Sequence, residues 1–230
     1  MSRIVFDDEY VIVVPTFKEV VPHKHSFLHI FFLGDSRKCE EIFVTGSDMR
    51  HTMPSIDVCK AFLMIDPTSD LADCLCEKHL SGGEPVHVRL SSPLLLPEDD
   101  TEGSLLSAIH DCLTANAFQS EKKEQADPED YRVVKLIREI REYRHLESRI
   151  DEIAREFDLS ESRLSHVFKE SVGISLKGYL TIARLKYAYK LVMEGKSKTH
   201  AALEAGFSSP AHLAFICKKQ MGISISEVLK

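Results

Sequence analysis

The sequence predicts an α+β chain of two modules: a small β-barrel with a flanking helix, then an all-α part built from two helix-turn-helix units. Three observations predict it. The hydrophobic period changes from about two residues to about 3.6 across a polar, charged stretch, AFQSEKKEQADPED at 117–130. The helical part then repeats itself at a spacing of 49 residues. The charge divides at the same seam: 11 Lys and Arg against 22 Asp and Glu before Glu129, but 18 against 14 from there to the end. An acidic module is joined to a basic one, and the basic one is the candidate for phosphate contact.

The seam gives a front domain over 1–118, a linker over 119–129 and a helical domain over 130–230. At 230 residues two domains are the expected number. Five short runs in front, YVIVV, FLHIFFL, EEIFVTG, KAFLMID and PVHVRL, are rich in β-branched and aromatic residues, with turn formers around most of them. A short helix over Thr68–Leu80 interrupts them. An amphipathic helix over Glu102–Phe118 follows, with Leu105, Ile109, Cys112 and Leu113 on one face.

Behind the seam, RIDEIAREFDLS places Ile150, Ile153, Ala154 and Phe157 at i, i+3, i+4 and i+7. A turn at Asp158–Leu159 leads to Ser160, a residue suited to capping the next helix. That helix packs through Leu164, Val167 and Phe168 and turns Ser162, Arg163, His166 and Lys169 the other way. A long helix follows, with Leu180, Ala183, Tyr187 and Leu191 expected inward and Gly195 as its cap. The unit then recurs: Leu164, Val167, Lys169, Gly173, Ile174 and Ser175 fall on Leu213, Ile216, Lys218, Gly222, Ile223 and Ser224. Backward, with one slip, IAREFDLS falls on AALEAGFS. In GFSSPAHLAF, Gly206 permits a tight turn, Phe207 fills the space between the helices, Ser208 or Ser209 caps, and Pro210 suits the first turn. The first unit's outer face has what reading a DNA groove needs: small hydroxyls, an arginine able to pair with guanine, and a lysine for phosphate.

These residues resemble the DNA-binding region of the AraC/XylS-type transcription regulators. The matching strings are IDEIAREFDLSESRLSHVFKESVGISLKGYL, then Arg184 and Ala188, then AALEAGFSSPAHLAF and KKQMGIS. The resemblance implies two helix-turn-helix units that place one helix each in successive major grooves, about 34–36 Å apart. It implies a sequence-specific regulator that binds promoter DNA and contacts RNA polymerase, is not an enzyme, and acts as a homodimer. Its DNA-facing residues would be Ser160, Ser162, Arg163, His166 and Lys169 in the first unit. In the second they would be Ser208, Ser209, Ala211, His212, Phe215, Lys218 and Lys219. The sequence departs from the family pattern at Lys198, Ala201, Phe215, Cys217 and Ile225, which predicts a looser second unit and base readout dominated by the first. Phe215 either touches a thymine methyl or packs inside.

In this family the front domain is commonly a cupin-like barrel that senses a ligand, dimerises, or both. VPHKHSFLHIFFLGDSRKCEEIFVTGSDMRHTMP is similar to that region. His23, His25, His29 and His51 are the candidates to line a small-molecule effector site. Metal cupins use a His-x-His pair, a glutamate and a later histidine, which His23, His25, Glu40 or Glu41, and His51 imitate at poor spacing. No metal and no other cofactor is therefore expected, and a metal-dependent enzyme or sensor fused to a DNA-binding module is the alternative. Leu105, Leu106, Ile109 and Leu113 are the candidate dimer contacts, unless the stripe only covers its own barrel. Six cysteines (Cys39, Cys59, Cys74, Cys76, Cys112 and Cys217) have neither a zinc spacing nor a disulfide density and read as packing thiols. No apolar run reaches the roughly 20 residues of a membrane span, and the N-terminus lacks the pattern of a signal peptide. The expectation is a cytoplasmic protein with no membrane partner.

Overall fold

The computed structural model of the chain describes residues 2–16, 20–99, 101–118, 128–222 and 225–228. The chain divides into two compact units, Met1–Lys122 with Lys218–Lys230, and Lys123–Cys217. The expected linker lies outside the described residues up to position 127, and its last two residues already belong to a helix.

Up to residue 118, the described chain is one six-stranded antiparallel sheet with two helices. Its strands are β1 (Arg3–Phe6), β2 (Tyr10–Val14), β3 (Leu28–Asp35), β4 (Lys38–Thr45), β5 (Cys59–Ile65) and β6 (Val86–Leu95). They lie in the order β1-β2-β5-β3-β4-β6. Five match the strand-like runs; β1, only four residues of RIVF, is too short to show a period. Helix α1 (Asp70–Lys78) starts where the Ser69 hydroxyl accepts the Ala72 N–H at 3.1 Å. Helix α2 (Glu102–Ala115) is capped in the same way by Thr101.

Alternation along the strands sends Leu28, Ile30 and Phe32, Ile42 and Val44, and Leu63 and Ile65 into one core with Leu71 and Leu75 of α1. Leu105, Ile109 and Leu113 of α2 join it, the first two with no exposed surface, and half-buried Leu106 packs against it. This burial favours the alternative in which the stripe covers its own sheet: Leu105, Ile109 and Leu113 have almost no surface left to bury in a second copy, whereas half-buried Leu106 keeps some. Burial there contributes about 1.5–3 kcal/mol per large aliphatic side chain. β3 is buried on both faces, and its second face carries His29 and Phe31.

The helices of the back half are α3 (Pro128–Arg141), α4 (Ile150–Glu156), α5 (Glu161–Val172), α6 (Leu176–Met193), α7 (Lys198–Glu204), α8 (Pro210–Met221) and α9 (Ile225–Val228). Ile153 and Ala154 of α4 and Leu164 and Phe168 of α5 are buried, as the spacing predicts. α6 is buried on more than one side, with Tyr179, Leu180, Leu185 and Ala188 nearly inaccessible. Tyr187 does not point inward. Its ring stacks on Tyr143 at 4.3 Å, and its hydroxyl donates to Glu204 at 2.8 Å. The cap residue of α6 is Glu194, with Gly195 following at φ 88°.

The structure also locates the slip in the repeat. Leu159 N–H donates to the Ala154 carbonyl, and Phe207 N–H to Ala202, each at 2.9 Å. Asp158 and Gly206 occupy the same left-handed position, at φ 53° and 78°. Ser160 caps α5, but Ser209 caps α8, so Ser208 is one residue more than the first turn holds. Gly206 is fixed twice over. Its φ disfavours a side chain, and a Cβ there would sit 2.4 Å from the Leu146 carbonyl oxygen. Ile223 and Ser224 of the second GIS lie outside the described residues.

Gly206→Ala is expected to cost about 2–3 kcal/mol, since a left-handed alanine and a backbone clash add. Chemical denaturation of the variant measures it; a loss within about 0.5 kcal/mol would show that the turn relaxes.

Candidate nucleic-acid interface and histidine cluster

The first candidate site is the outer face of α5. Ser160, Ser162, Arg163, His166 and Lys169 are all exposed. The Ser160 hydroxyl accepts the Arg163 N–H at 3.2 Å, which fixes the start of the helix beneath these side chains. His166 lies 3.5 Å from Glu170 one turn on. The mixed polar set (hydroxyl, guanidinium, imidazole and ammonium) is able to meet base edges and phosphates from one helix.

The outer face of α8 differs. Ala211, Phe215, Lys218 and Lys219 are exposed, and Ser208 with them. Phe215 keeps 63% of its surface open, so of the two readings of that residue, packing inside does not hold. Ser209 and His212 are half-buried. The Ser208 N–H points at His212 Nδ1 at 3.4 Å and its hydroxyl lies 3.0 Å from the same atom. An N–H only donates, so Nδ1 is the acceptor and the neutral ring carries its proton on Nε2. His212 is thereby set as a hydrogen-bond donor. In the second unit Ala201, Ala202, Ala205 and Cys217 have no exposed surface. The small Cys217 leaves room for the Tyr189 hydroxyl, 2.9 Å from its sulfur.

These helices stand in a recognisable frame. Residues 153–230 match the family model described as a helix-turn-helix domain. The match covers α4 to α9, so the C-terminal part of this chain is a helix-turn-helix domain. The transcriptional regulatory protein HptR of Staphylococcus aureus is 27% identical over 136 residues, which is 59% of this chain and 51% of that protein. The chain thus spans about half the length of the curated relatives it matches. The structure of ToxT from Vibrio cholerae is similar over 100% of this chain and 97% of its own, with a TM-score of 0.52 at 12% identity. A ToxT structure described as bound to an unsaturated fatty acid is similar over 97% and 95%, with a TM-score of 0.51 at 12% identity. At that identity the likeness is one of fold, an N-terminal β domain and C-terminal helices. Within the helix-turn-helix domain, α5 and α8 are the second helices of the two repeated units.

The second candidate site lies in the front unit. An isolated antiparallel bridge joins His23 to His51, each donating its N–H to the other's carbonyl at 3.0 Å. The Asp48 N–H donates to the His25 carbonyl at 2.7 Å. These bonds lay the segment before β3 against the loop after β4 and bring four rings together. Ring centroids are 4.6 Å apart for His23 and His51, 4.9 Å for His25 and His51, and 4.7 Å for His29 and His51. Ligand nitrogens of His23, His25 and His51 all lie within 4.8 Å of one another. His25 and His29 meet through their Nε2 atoms at 3.1 Å. The four histidines singled out in the sequence are one cluster. Glu40 and Glu41 are not part of it: both are exposed near the start of β4, and Glu40 pairs with Lys38. Thr45, not among the residues singled out above, faces His29 across the β3–β4 ladder and keeps its hydroxyl buried with no hydrogen bond among the described residues. A threonine directly after the apolar run IFV is the available signal.

Burial is the main cause that holds all four imidazoles below the ordinary value of 6.5. His25 and His29 are pushed furthest, and repulsion from the neighbouring rings adds to burial for both. A folded-state value below the unfolded one means that the unfolded chain takes up protons first as pH falls. The resulting stability is complete above about pH 6.5 and is lost below it. The metal-free chain should therefore lose up to about 1.4 kcal/mol per pH unit below 6.5 for each fully suppressed ring. Equilibrium unfolding between pH 7.5 and 5.5 measures the slope. A double His25→Phe, His29→Leu variant should flatten it, and an unchanged slope would assign it to other groups.

Proposed function

We propose that this chain is a sequence-specific transcription regulator of the AraC type, acting on promoter DNA in the bacterial cytoplasm and through it on RNA polymerase. The observation that carries this reading is the pair of capped, outward-facing helices, α5 and α8, at the equivalent position of two repeated units. α5 supplies most of the base readout, because Arg163, Ser162 and His166 offer donors that guanine and adenine edges accept. α8 supplies phosphate contact through Lys218 and Lys219, and Phe215 meets a thymine methyl. HptR is named a transcriptional regulatory protein, which supports the same role here. The front unit is the effector-sensing part: ToxT with an unsaturated fatty acid bound shares the fold, and here the buried histidine cluster is the chemically distinctive site.

Selection of bound fragments from random DNA at about 150 mM salt tests this. One motif with two blocks about one helical turn apart is expected. Salt-sensitive binding without a motif would overturn it. On the selected site, Arg163→Ala should cost about 1–3 kcal/mol and relax the preference at one base pair. Lys218→Ala should weaken all sequences alike and lower the salt slope by about one. Titrations at several salt concentrations separate the two behaviours.

A further inference from the structure

We propose that His23, His25, His29 and His51 form a binding site for one first-row transition-metal dication of the zinc, cobalt or nickel kind. The proposal deepens the reading of the front unit as a sensor by naming the chemistry of its ligand. The metal site itself stands on geometry that is independent of DNA binding.

The hydrogen bonds around the rings fix where their lone pairs are. His23, His29 and His51 each place Nδ1 against a backbone carbonyl: Val21 at 2.8 Å, Leu63 at 3.0 Å and Met49 at 2.9 Å. A carbonyl only accepts, so all three Nδ1 atoms carry the proton and all three Nε2 atoms are bare. This is the outer arrangement that orients metal-bound imidazoles, the far N–H donating to a carbonyl. His51 Nε2 is buried and makes no hydrogen bond among the described residues. A buried acceptor left without a donor is costly, and an electrophile at this point removes the cost.

His25 is the exception that completes the set. Its Nδ1 accepts the Phe27 N–H at 3.1 Å, so its Nε2 carries the proton and donates it to His29 Nε2, also at 3.1 Å. Two nitrogens bound to one tetrahedral ion at about 2.0–2.1 Å sit about 3.3 Å apart, close to that separation. The proton between the two rings thus marks a place an ion can take. On binding, the His25 Nε2 proton leaves to water and Nδ1 gains one from water, so the ring stays neutral and the Phe27 N–H loses its acceptor. Occupancy is in this way coupled to the entry of β3.

The donor set decides the class of ion. Three imidazoles, of His23, His25 and His51, bring nitrogens within 4.8 Å of one another, and His29 meets the group through His25; with no carboxylate in that group among the described residues, the set suits zinc and its first-row neighbours rather than magnesium or calcium, which require oxygen. The six cysteines are not part of the cluster either, so thiolate ligation is not expected.

The test uses the full chain, stripped with a chelator and titrated with Co2+ alone, followed by Zn2+ and elemental analysis after dialysis. One equivalent per chain is expected, with ligand-field absorption that Zn2+ abolishes and no thiolate charge-transfer band. His51→Ala should weaken uptake at least about 100-fold. His23→Gln, at a half-buried ring whose loss the fold tolerates better, should weaken it at least about tenfold. His87→Ala and His110→Ala, at exposed side chains of β6 and α2, should leave it unchanged. Unfolding of each metal-free variant identifies any that fail to fold. Absence of stoichiometric uptake by the unmodified chain, uptake that survives both cluster variants, or a thiolate band would overturn the proposal. Because uptake is read without DNA, such a failure leaves the DNA-binding reading standing.

Discussion

The carbonyl oxygen of Leu146 holds the helical half together. Arg184 of α6 donates its Nε–H to it at 2.6 Å, and the backbone at Gly206 approaches so closely that no side chain fits between. One oxygen thus joins the loop after α3, the long α6 and the turn between α7 and α8. A hydrogen bond from a charged donor is worth about 1.5–3 kcal/mol, and burial lowers the Arg184 pKa, so removing its partner would leave a partly desolvated charge. The exposed faces of α5 and α8 carry side chains of low structural consequence. They are free to vary because anchoring is done elsewhere, by Ile153, Leu164, Phe168, Phe207 and Leu213 on the buried sides.

The two units show how far a repeated plan can diverge under the same packing rules. Each keeps two small or aliphatic residues where its first helix meets its second, Ile153 and Ala154 in one and Ala201 and Ala202 in the other. Each also keeps a left-handed turn residue and a serine cap. The second unit has a smaller residue, Cys217, where the first has Phe168, and the Tyr189 hydroxyl takes up that space. The additional Ser208 then has a partner of its own in His212. Outer faces are under no such constraint, which is why one offers polar groups and the other a phenylalanine.

The front unit works under a different constraint. A sheet strand buried on both faces must fill its second face, and here that face holds imidazoles beside Phe31 and Phe62. Buried imidazoles are tolerated because each Nδ1 has a backbone partner and each ring is neutral. The bridge between His23 and His51 is what makes a cluster from residues that lie up to 28 positions apart.

The sequence by itself determined the two-part architecture, the register of α4 and α5, the caps and the exposed polar face of α5. All of these follow from periodicity and local backbone chemistry, which act over a few residues. It also named the four histidines. Only the tertiary structure decided what they are to one another, because a bridge between two loops has no period and leaves no spacing to read. The same holds for Leu105, Ile109 and Leu113: amphipathicity shows that a stripe must be buried, and only packing shows that its own sheet does the burying. Tyr187, read as inward, lies instead against Tyr143 and Glu204, since on a helix buried on several sides the apolar pattern no longer marks a single face. Local order was written in the chain; the meeting of distant segments was settled by how they fill space together.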